Sequence, residues 1–343
     1  MSMNQPDQII GSSPTFLDLM DKVSRAAPLD RPLLVVGERG TGKEMIAARL
    51  HFLSQRWNQV FQKMNCAALA PTLLESELFG YEPGAFTGAR TRRAGRFEAA
   101  NNGSLFLDEI GTMAMEAQEK LLRVIEYGEF ERVGGTETIT VDVRVVGATN
   151  IDLPAAADAG QFRHDLLDRL AFDVITVPPL RERRDDIILL ANHFGMAMAR
   201  ELEWLTFPGF SGKAHEEMLD HDWPGNIREL KNVVERAVYC QWDGEQPVCG
   251  LVFDPFDSPY RPPAALGGIK EDRPASEPAG QNAKPKLPTE PQDMKQALHH
   301  HERALLEQAM EQCRFNQRAA AKWLNLSYDQ LRHGLKKHGL IGS

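Results

Sequence analysis

The stretch "PLLVVGERGTGKEMIAARLHFL", residues 32–53, joins an unbroken apolar run to a segment of helical pattern through eight small and polar residues. A continuous Leu/Val run reads as a strand buried on both faces, as in a parallel sheet, and "EMIAARLHFL" reads as the helix that follows it. G-x-x-x-x-G-K in that setting meets the requirements of a phosphate-binding loop. Gly37, Glu38, Arg39, Gly40, Thr41 and Gly42 present backbone N–H groups at a helix N-terminus, and Lys43 can reach the β and γ oxygens of a nucleotide. The next residue is Glu44, where the general pattern has Ser or Thr. No hydroxyl is offered there to Mg²⁺, so the metal is expected to be held through water and by a second acidic motif.

Working outward, "GSLFLDE" (103–109) supplies that motif. Asp108 and Glu109 stand at the end of a buried strand, where one carboxylate can hold the Mg²⁺ shell and the other can orient and deprotonate an attacking water. "VRVVGATN" (143–150) is a third strand of this kind, and its end places Thr149 and Asn150 where a polar side chain could sense a γ-phosphate. Short apolar runs alternating with helical patterns make residues 1–178 an α/β nucleotide-binding subdomain with a parallel sheet, whose ligands collect at the carboxyl ends of the strands. Residues 179–252 turn helical, with Ile227, Leu230, Val234 and Val238 on one face, and read as a smaller lid. In "WPGNIREL" (223–230), Pro224 and Gly225 make a turn, Asn226 is expected to cap with Glu229 completing the box, and Arg228 in the first turn could report nucleotide state.

Two arginines fit a further role. Arg163 and Arg169 in "FRHDLLDRL" (162–170) could each supply, from a neighbouring subunit, the cation that the phosphate loop lacks for phosphoryl transfer. Surface ion pairing with Asp165 or Asp168 is the alternative, and the residues alone leave both open.

Composition bounds the class. The 343 residues are 42% hydrophobic and 25% charged, enough for two or three domains and a sizeable core. No N-terminal signal pattern and no long apolar run is present, which points to the cytoplasm. Four scattered cysteines without a C-x-x-C pair argue for reduced thiols. A net charge of -9 excludes a generally nucleic-acid-coating surface but permits a local basic patch. Residues 253–293, rich in proline and poor in large apolar side chains, read as a linker. Residues 294–343 are helical again. Between Arg314 and His338 six Lys or Arg face one acidic residue, and the pattern is helix, turn at Asn325 and Leu326, then a helix from Ser327. This is an all-α helix-turn-helix, with Ser327, Tyr328, Gln330, Arg332, His333 and Lys336 as candidate DNA contacts. A solvated basic surface is the plainer reading of that helix taken alone. The run at His299, His300 and His301 has no assigned role.

"YEPGAFTGAR" (81–90) carries no acid, base or ligand between its glycines, only Phe86 at the tip of something that cannot be core. Taken with "GERGTGKE", "GSLFLDE", "FRHDLLDRL" and "WPGNIREL", in this order over residues 9 to about 245, it resembles the AAA+ domain of bacterial enhancer-binding activators of sigma-54 RNA polymerase. The resemblance implies an AAA+ P-loop ATPase using ATP and Mg²⁺ in a homo-hexameric ring. It makes Gly84, Ala85, Phe86, Thr87, Gly88 and Ala89 the tip of a loop that contacts the sigma-54 RNA polymerase holoenzyme, and Glu44 is that family's habit. It also makes Asn65 a switch linking Glu109 to the loop, "RVGG" (132–135) a second substrate-facing loop, and the C-terminal unit an enhancer-DNA reader.

The resemblance begins within about ten residues of Met1, so control is expected from another protein. Within the family this resembles the phage shock branch, which phage shock protein A holds back in trans. Trp57, in the polar "SQRWNQ", is then either part of that docking surface or packed on its own subunit. A DNA-binding regulator with a non-hydrolysing site is disfavoured by the presence of Lys43, Asp108 and Glu109 together.

Overall fold

A computed structural model describes residues 9–241 and 244–256 and, from 302 to 340, a part that includes one continuous helix. Most of the expected linker, Ser327 and the histidine run at 299–301 lie outside the described residues. Contacts divide the chain near residue 262 into two compact units, each taken here by itself.

The apolar runs form strands one residue shorter at each end than the sequence suggests: β1 (Leu33–Val36), β3 (Ser104–Asp108) and β6 (Arg144–Thr149). Two further strands, β2 (Phe61–Asn65) and β7 (Val174–Thr176), complete a parallel sheet of order β2-β3-β6-β1-β7. The sequence does not announce these two because they sit at the edges, where one face is wet and the apolar run is broken. Both faces of β3 and β6 are buried, with Leu105, Leu107 and Val145 in one core and Phe106, Val146 and Ala148 in the other. A small hairpin, β4 (Glu129–Glu131) with β5 (Thr138–Thr140), stands apart, and "RVGG" is its turn.

Helices α1 (Pro14–Ala26) and α2 (Lys43–Phe52) cover one face of the sheet. On the other lie α3 (Pro71–Phe79), α4 (Arg96–Ala99), α5 (Met115–Tyr127), α6 (Leu153–Asp158) and α7 (His164–Leu170). The lid is α8 (Arg184–Glu201), α9 (Gly212–Asp220) and α10 (Asn226–Cys240), packed around fully buried Trp223, with Leu230, Val234 and Val238 inward as their spacing predicts. Ile227 is only partly buried and lines a cavity with Thr41 and Gly42. In the second unit, Leu331 and Leu335 of α11 (Tyr328–Lys337) bury against Leu306, Ala309 and Ala320. Among the described residues no helix is long and apolar enough to cross a membrane.

The segment before α1 is fastened to the lid. Ser12 N, Ser13 N and Ser13 Oγ donate to the Asp186 carboxylate at 2.6, 2.9 and 2.7 Å, and Arg183 Nε donates to it at 2.9 Å. Asp186 is 0% exposed, and the Arg183 guanidinium lies 4.1 Å from the Phe16 ring centroid. Burial pushes the Asp186 carboxyl up, but these four donors outweigh it and hold it below its ordinary value. A depressed carboxyl stabilises the fold above its unfolded pKa of about 3.9, and that contribution is lost as pH falls through the folded value. Asp186→Asn is therefore expected to cost about 3–5 kcal/mol at pH 7 by stranding Arg183. Denaturant unfolding at a series of pH values should show the gap to the parent narrowing as pH falls toward about 3; a gap independent of pH would contradict the ion pair.

Candidate functional site

The parallel register brings four strand ends to one edge. After β1 the chain enters the glycine loop, where Gly40 and Gly42 have φ of +78° and +92°. A Cβ on Gly40 would stand 2.3 Å from Gly225 O of the lid, so both the backbone conformation and the close approach require glycine there. Lys43 is buried at the start of α2, and its Nζ donates to Gly37 O at 2.9 Å and Glu38 O at 3.2 Å. Burial lowers its pKa, against the raising influence of Glu109 and Asp108 and with a lowering one from Arg228 and Arg39. These five side chains therefore share one electrostatic environment. Beside the loop is an apolar cavity lined by Ile10, Thr41, Gly42, Met45, Phe194 and Ile227 among others. It suits a flat heterocycle next to N–H groups that suit phosphates.

At the end of β3, Asp108 Oδ1 accepts from Glu109 N at 3.0 Å, and Glu109 itself has φ +53°. With the Asn150 amide oriented to satisfy its neighbours, it donates to Glu109 Oε2 at 2.6 Å and accepts from Arg39 Nε at 3.0 Å. Two expectations are corrected by this geometry. Asn65 does not reach Glu109: its Nδ2 donates to Asp108 Oδ2 at 3.4 Å, while its Oδ1 accepts from Ala67 N at 2.9 Å in the turn that follows β2. Thr149 is fully buried, and its Oγ1 accepts from Ile151 N, so Asn150 alone of that pair has its side chain in the site.

Two acidic side chains of this stretch are paired with bases. Glu44 pairs with Lys63 at 2.8 Å on the surface. Glu38 pairs with Arg181 through two bonds, at 2.9 and 2.6 Å. Thr41 Oγ1 donates to Glu38 O. For a divalent ion, the oxygens of Asp108 and Glu109 beside the phosphate loop are a hard donor set of the kind Mg²⁺ takes when it keeps several waters; among the described residues no group of three or more His, Cys, Asp or Glu is built to hold a metal alone.

Arg228 lies in the first turn of α10 as expected, but Asn226 does not cap that helix. The N-cap is Gly225, whose N donates to Glu229 Oε2 at 2.7 Å. The Asn226 amide is spent on Leu180 N, Glu38 Oε2 and Arg39 O instead. Arg163 pairs with Asp165 at 2.7 Å. Arg169 pairs with Glu126 at 2.7 Å rather than with Asp168. Arg169 lines a cavity with Arg31 and Pro32, which precede β1 and so lie at the edge of the sheet opposite the phosphate loop.

In the loop at 84–89, Gly84 and Gly88 have φ of +86° and +103° with open space around them. Phe86 is 43% exposed and sets its ring edge-on to Tyr81 at 4.9 Å. Ala89 is buried, its carbonyl accepting from Gly84 N at 2.8 Å, so it closes the loop rather than presenting a contact. The loop connects to the hairpin through Arg132, 2% exposed, whose guanidinium bonds Glu82 at 2.8 Å and Glu98 through two donors. Trp57 is 62% exposed. On α11, Tyr328, Gln330, Arg332, His333 and Lys336 are all exposed, opposite the buried leucines.

Sequence reasoning missed Cys66, Arg181 and the ties of Asn226. No motif marks Arg181, and Asn226 carried only the signature of a cap. Burial, with Asp108 and Glu109 close by, pushes the Cys66 thiol up to about 12. Cys66 should therefore resist iodoacetamide at pH 8 while the exposed Cys240 and Cys249 react. Peptide mass spectrometry of the native protein checks this, and rapid modification of Cys66 would contradict the described burial.

The sequence matches the family model described as the Sigma-54 interaction domain over residues 9–176. It also matches the AAA+ ATPase lid domain over 181–248 and Bacterial regulatory protein, Fis family, over 298–338. Among curated relatives, the Psp operon transcriptional activator of Escherichia coli (strain K12) is 52% identical over 332 residues, covering 97% of this chain and 98% of the relative. The Nif-specific regulatory protein of Herbaspirillum seropedicae is 41% identical, covering 97% of this chain and 62% of the relative. Among solved structures, NtrX from Brucella abortus in complex with ATP is similar with a TM-score of 0.69 and 29% identity, covering 97% of this chain and 69% of that one.

Proposed function

The chain belongs to the bacterial sigma-54-dependent AAA+ transcriptional activators, and from that premise we propose that it hydrolyses ATP to convert closed sigma-54 RNA polymerase promoter complexes to open ones. It does so as a homo-hexamer in the cytoplasm, held near the promoter by enhancer DNA bound through residues 294–343. The linker at 253–293 joins that unit to the lid at 179–252 and the ATPase core at 1–178. The genes served are those of the phage shock response to envelope stress, and phage shock protein A, docking at Trp57, restrains the ring in trans. The identity to the Psp operon activator along nearly the whole of both chains supports the choice of genes.

One observation carries the enzymatic reading. Arg39 of the phosphate loop, Asn150 at the end of β6 and Glu109 after β3 form a bonded series, with Lys43 among the charges that surround it. The backbone N–H groups of the loop take the α and β phosphates, and Lys43 neutralises the β and γ oxygens. Asp108 would hold Mg²⁺, partly through water, and the ion when bound would neutralise charge on the phosphate oxygens. Glu109 holds and deprotonates the attacking water, and its bond to Asn150 lets the γ-phosphate state be read at that carboxylate. Arg228 reports the nucleotide to the lid. Tyr328, Gln330, Arg332, His333 and Lys336 meet DNA from the exposed side of α11, and Ser327 is proposed as a further contact. The loop at 84–89 then presents Phe86 to sigma-54 in only one nucleotide state, a differential affinity that hydrolysis can use.

Open-complex formation at a sigma-54 promoter with hydrolysable ATP tests the whole reading. Lys43→Ala is expected to lose nucleotide binding. Glu109→Ala should keep binding and lose turnover by roughly 10²–10⁴-fold. Phe86→Ala should hydrolyse ATP at a near-parental rate and fail to open the promoter. Normal turnover in Glu109→Ala would remove its assigned role, and a Phe86→Ala protein that opens the promoter would remove the loop's.

Arg163 and Arg169 are held by carboxylates in the isolated chain, so both are proposed to act on the nucleotide of a neighbouring subunit. Mixing Arg169→Ala with Lys43→Ala protein, each inactive alone, should recover part of the ATPase rate, because some interfaces then join an intact loop to an intact arginine. A mixture as inactive as its components would favour a structural role for the arginine.

A further inference from the structure

The lid meets the phosphate loop through a side chain that no surface requirement explains. Asn226 is 0% exposed and holds φ +54° at the first residue of α10. Its Oδ1 accepts from Leu180 N at 2.8 Å, in the chain entering the lid. Its Nδ2 donates to Glu38 Oε2 and to Arg39 O, each at 3.0 Å, in the phosphate loop. This is the only amide orientation that satisfies all three partners. The same Glu38 carboxylate accepts both Arg181 Nη atoms, at 2.9 and 2.6 Å, from the turn before α8.

The turn is also braced from behind. Glu229 accepts from Gly225 N at 2.7 Å and pairs with His221 Nε2 at 2.9 Å, and Gly225 O presses on Gly40. A buried amide with three partners in two elements is a costly group to leave unmade, and it performs no capping. Its bonds have a second consequence. Glu38 is an acid inside a loop built for phosphate, and the latch of Asn226 and Arg181 ties that carboxylate away from the anions it would otherwise repel.

We propose that Asn226 is a positioning residue for nucleotide binding: with Glu38 and Arg181 it locks the phosphate loop and the Arg228-bearing turn of the lid into one preformed unit. The proposal rests on the reading of this site as an ATP site. Because the latch touches the loop and not the γ-phosphate, it contributes equally to ATP and ADP affinity and acts on binding rather than on the chemical step. Preformation matters because any ordering of the loop during binding subtracts from affinity.

The full chain carrying Asn226→Gly, which tolerates the left-handed backbone, tests this with labelled ATP and ADP, steady-state kinetics and hydrogen exchange without nucleotide. The expected result is about a tenfold weaker affinity for both nucleotides with kcat within about threefold. Exchange should quicken in residues 37–44, 180–183 and 223–230, which hold the amide's partners, while the remainder of the chain is unchanged. Asn226→Asp, which sets a second carboxylate against Glu38, should bind more weakly still and be at least partly relieved by Glu38→Gln. The proposal is overturned if Asn226→Gly binds within about twofold of the parent, if only ATP affinity falls, if exchange rises throughout the lid, or if Glu38→Gln brings no relief. A parental chain that binds no nucleotide would instead overturn the ATP reading, and the exchange experiment would still report on the latch.

Discussion

In the central sheet Val36 lies opposite both Thr149 and Thr176, and Asn65 lies opposite Asp108. Extending the pairing of Leu107 with Gly147 by two residues sets Glu109 level with Thr149. The phosphate loop, the two acids and Asn150 thus leave the sheet at one height in this register. A slip of one residue would turn every side chain of a strand to the opposite face, and Leu105 and Leu107 would exchange places with Phe106 between two different cores. Burial on both faces therefore fixes the chemistry's geometry: the apolar residues of β3 and β6 select the register, and the register delivers the carboxylates.

From that edge, order extends to the loop through polar bonds rather than apolar packing. Arg132 is nearly inaccessible and joins Glu82, at the base of the loop, to Glu98 of α4. Burial alone would raise the Glu98 carboxyl; the Arg132 bonds and the Gly95 N–H outweigh it and lower it. The tip beyond has little of this support. A Cβ on Gly84 or Gly88 would meet nothing within 4 Å, and Phe86 rests on one ring. A rigid base and a loose apolar tip are what a contact made in only one state requires, since the tip has to change its exposure while its root stays aligned.

Much of this is legible in the sequence. The loop, the paired acids, the parallel sheet and the inward face of α10 are readable because each depends on local pattern: an apolar run, a glycine spacing, a period of 3.6. The edge strands β2 and β7 were not, because an edge strand is apolar on one side only. The partners of Asn65, Asn226 and Arg169 were not, because a polar side chain's partner depends on three-dimensional proximity across 43 to 188 residues of chain. Asn226 misled for a physical reason: asparagine before a helix caps it in most settings, but here Gly225 takes the boundary position and frees the amide for the loop.

The backbone strain is distributed in a way that separates fixed from movable parts. Among the described residues five non-glycines have positive φ, and Glu109, Trp223 and Asn226 belong to the nucleotide site or to the turn that braces it. Each such residue costs on the order of 1–3 kcal/mol and persists only where its surroundings over-determine it. Trp223 is buried with its indole N–H donating to Met218 O, and Asn226 makes three bonds inside the interface. Neither can relax without opening the lid. Glu109 is held by its backbone bond to Asp108 and by Asn150, groups that a nucleotide and its metal would themselves engage. On the proposed reading of this site, arrival or loss of a γ-phosphate would compete for the bonds that keep Glu109 strained and leave the lid turn untouched. The strain of Glu109 is then the part that a change of nucleotide would release, and a displacement passed on to the loop would begin there.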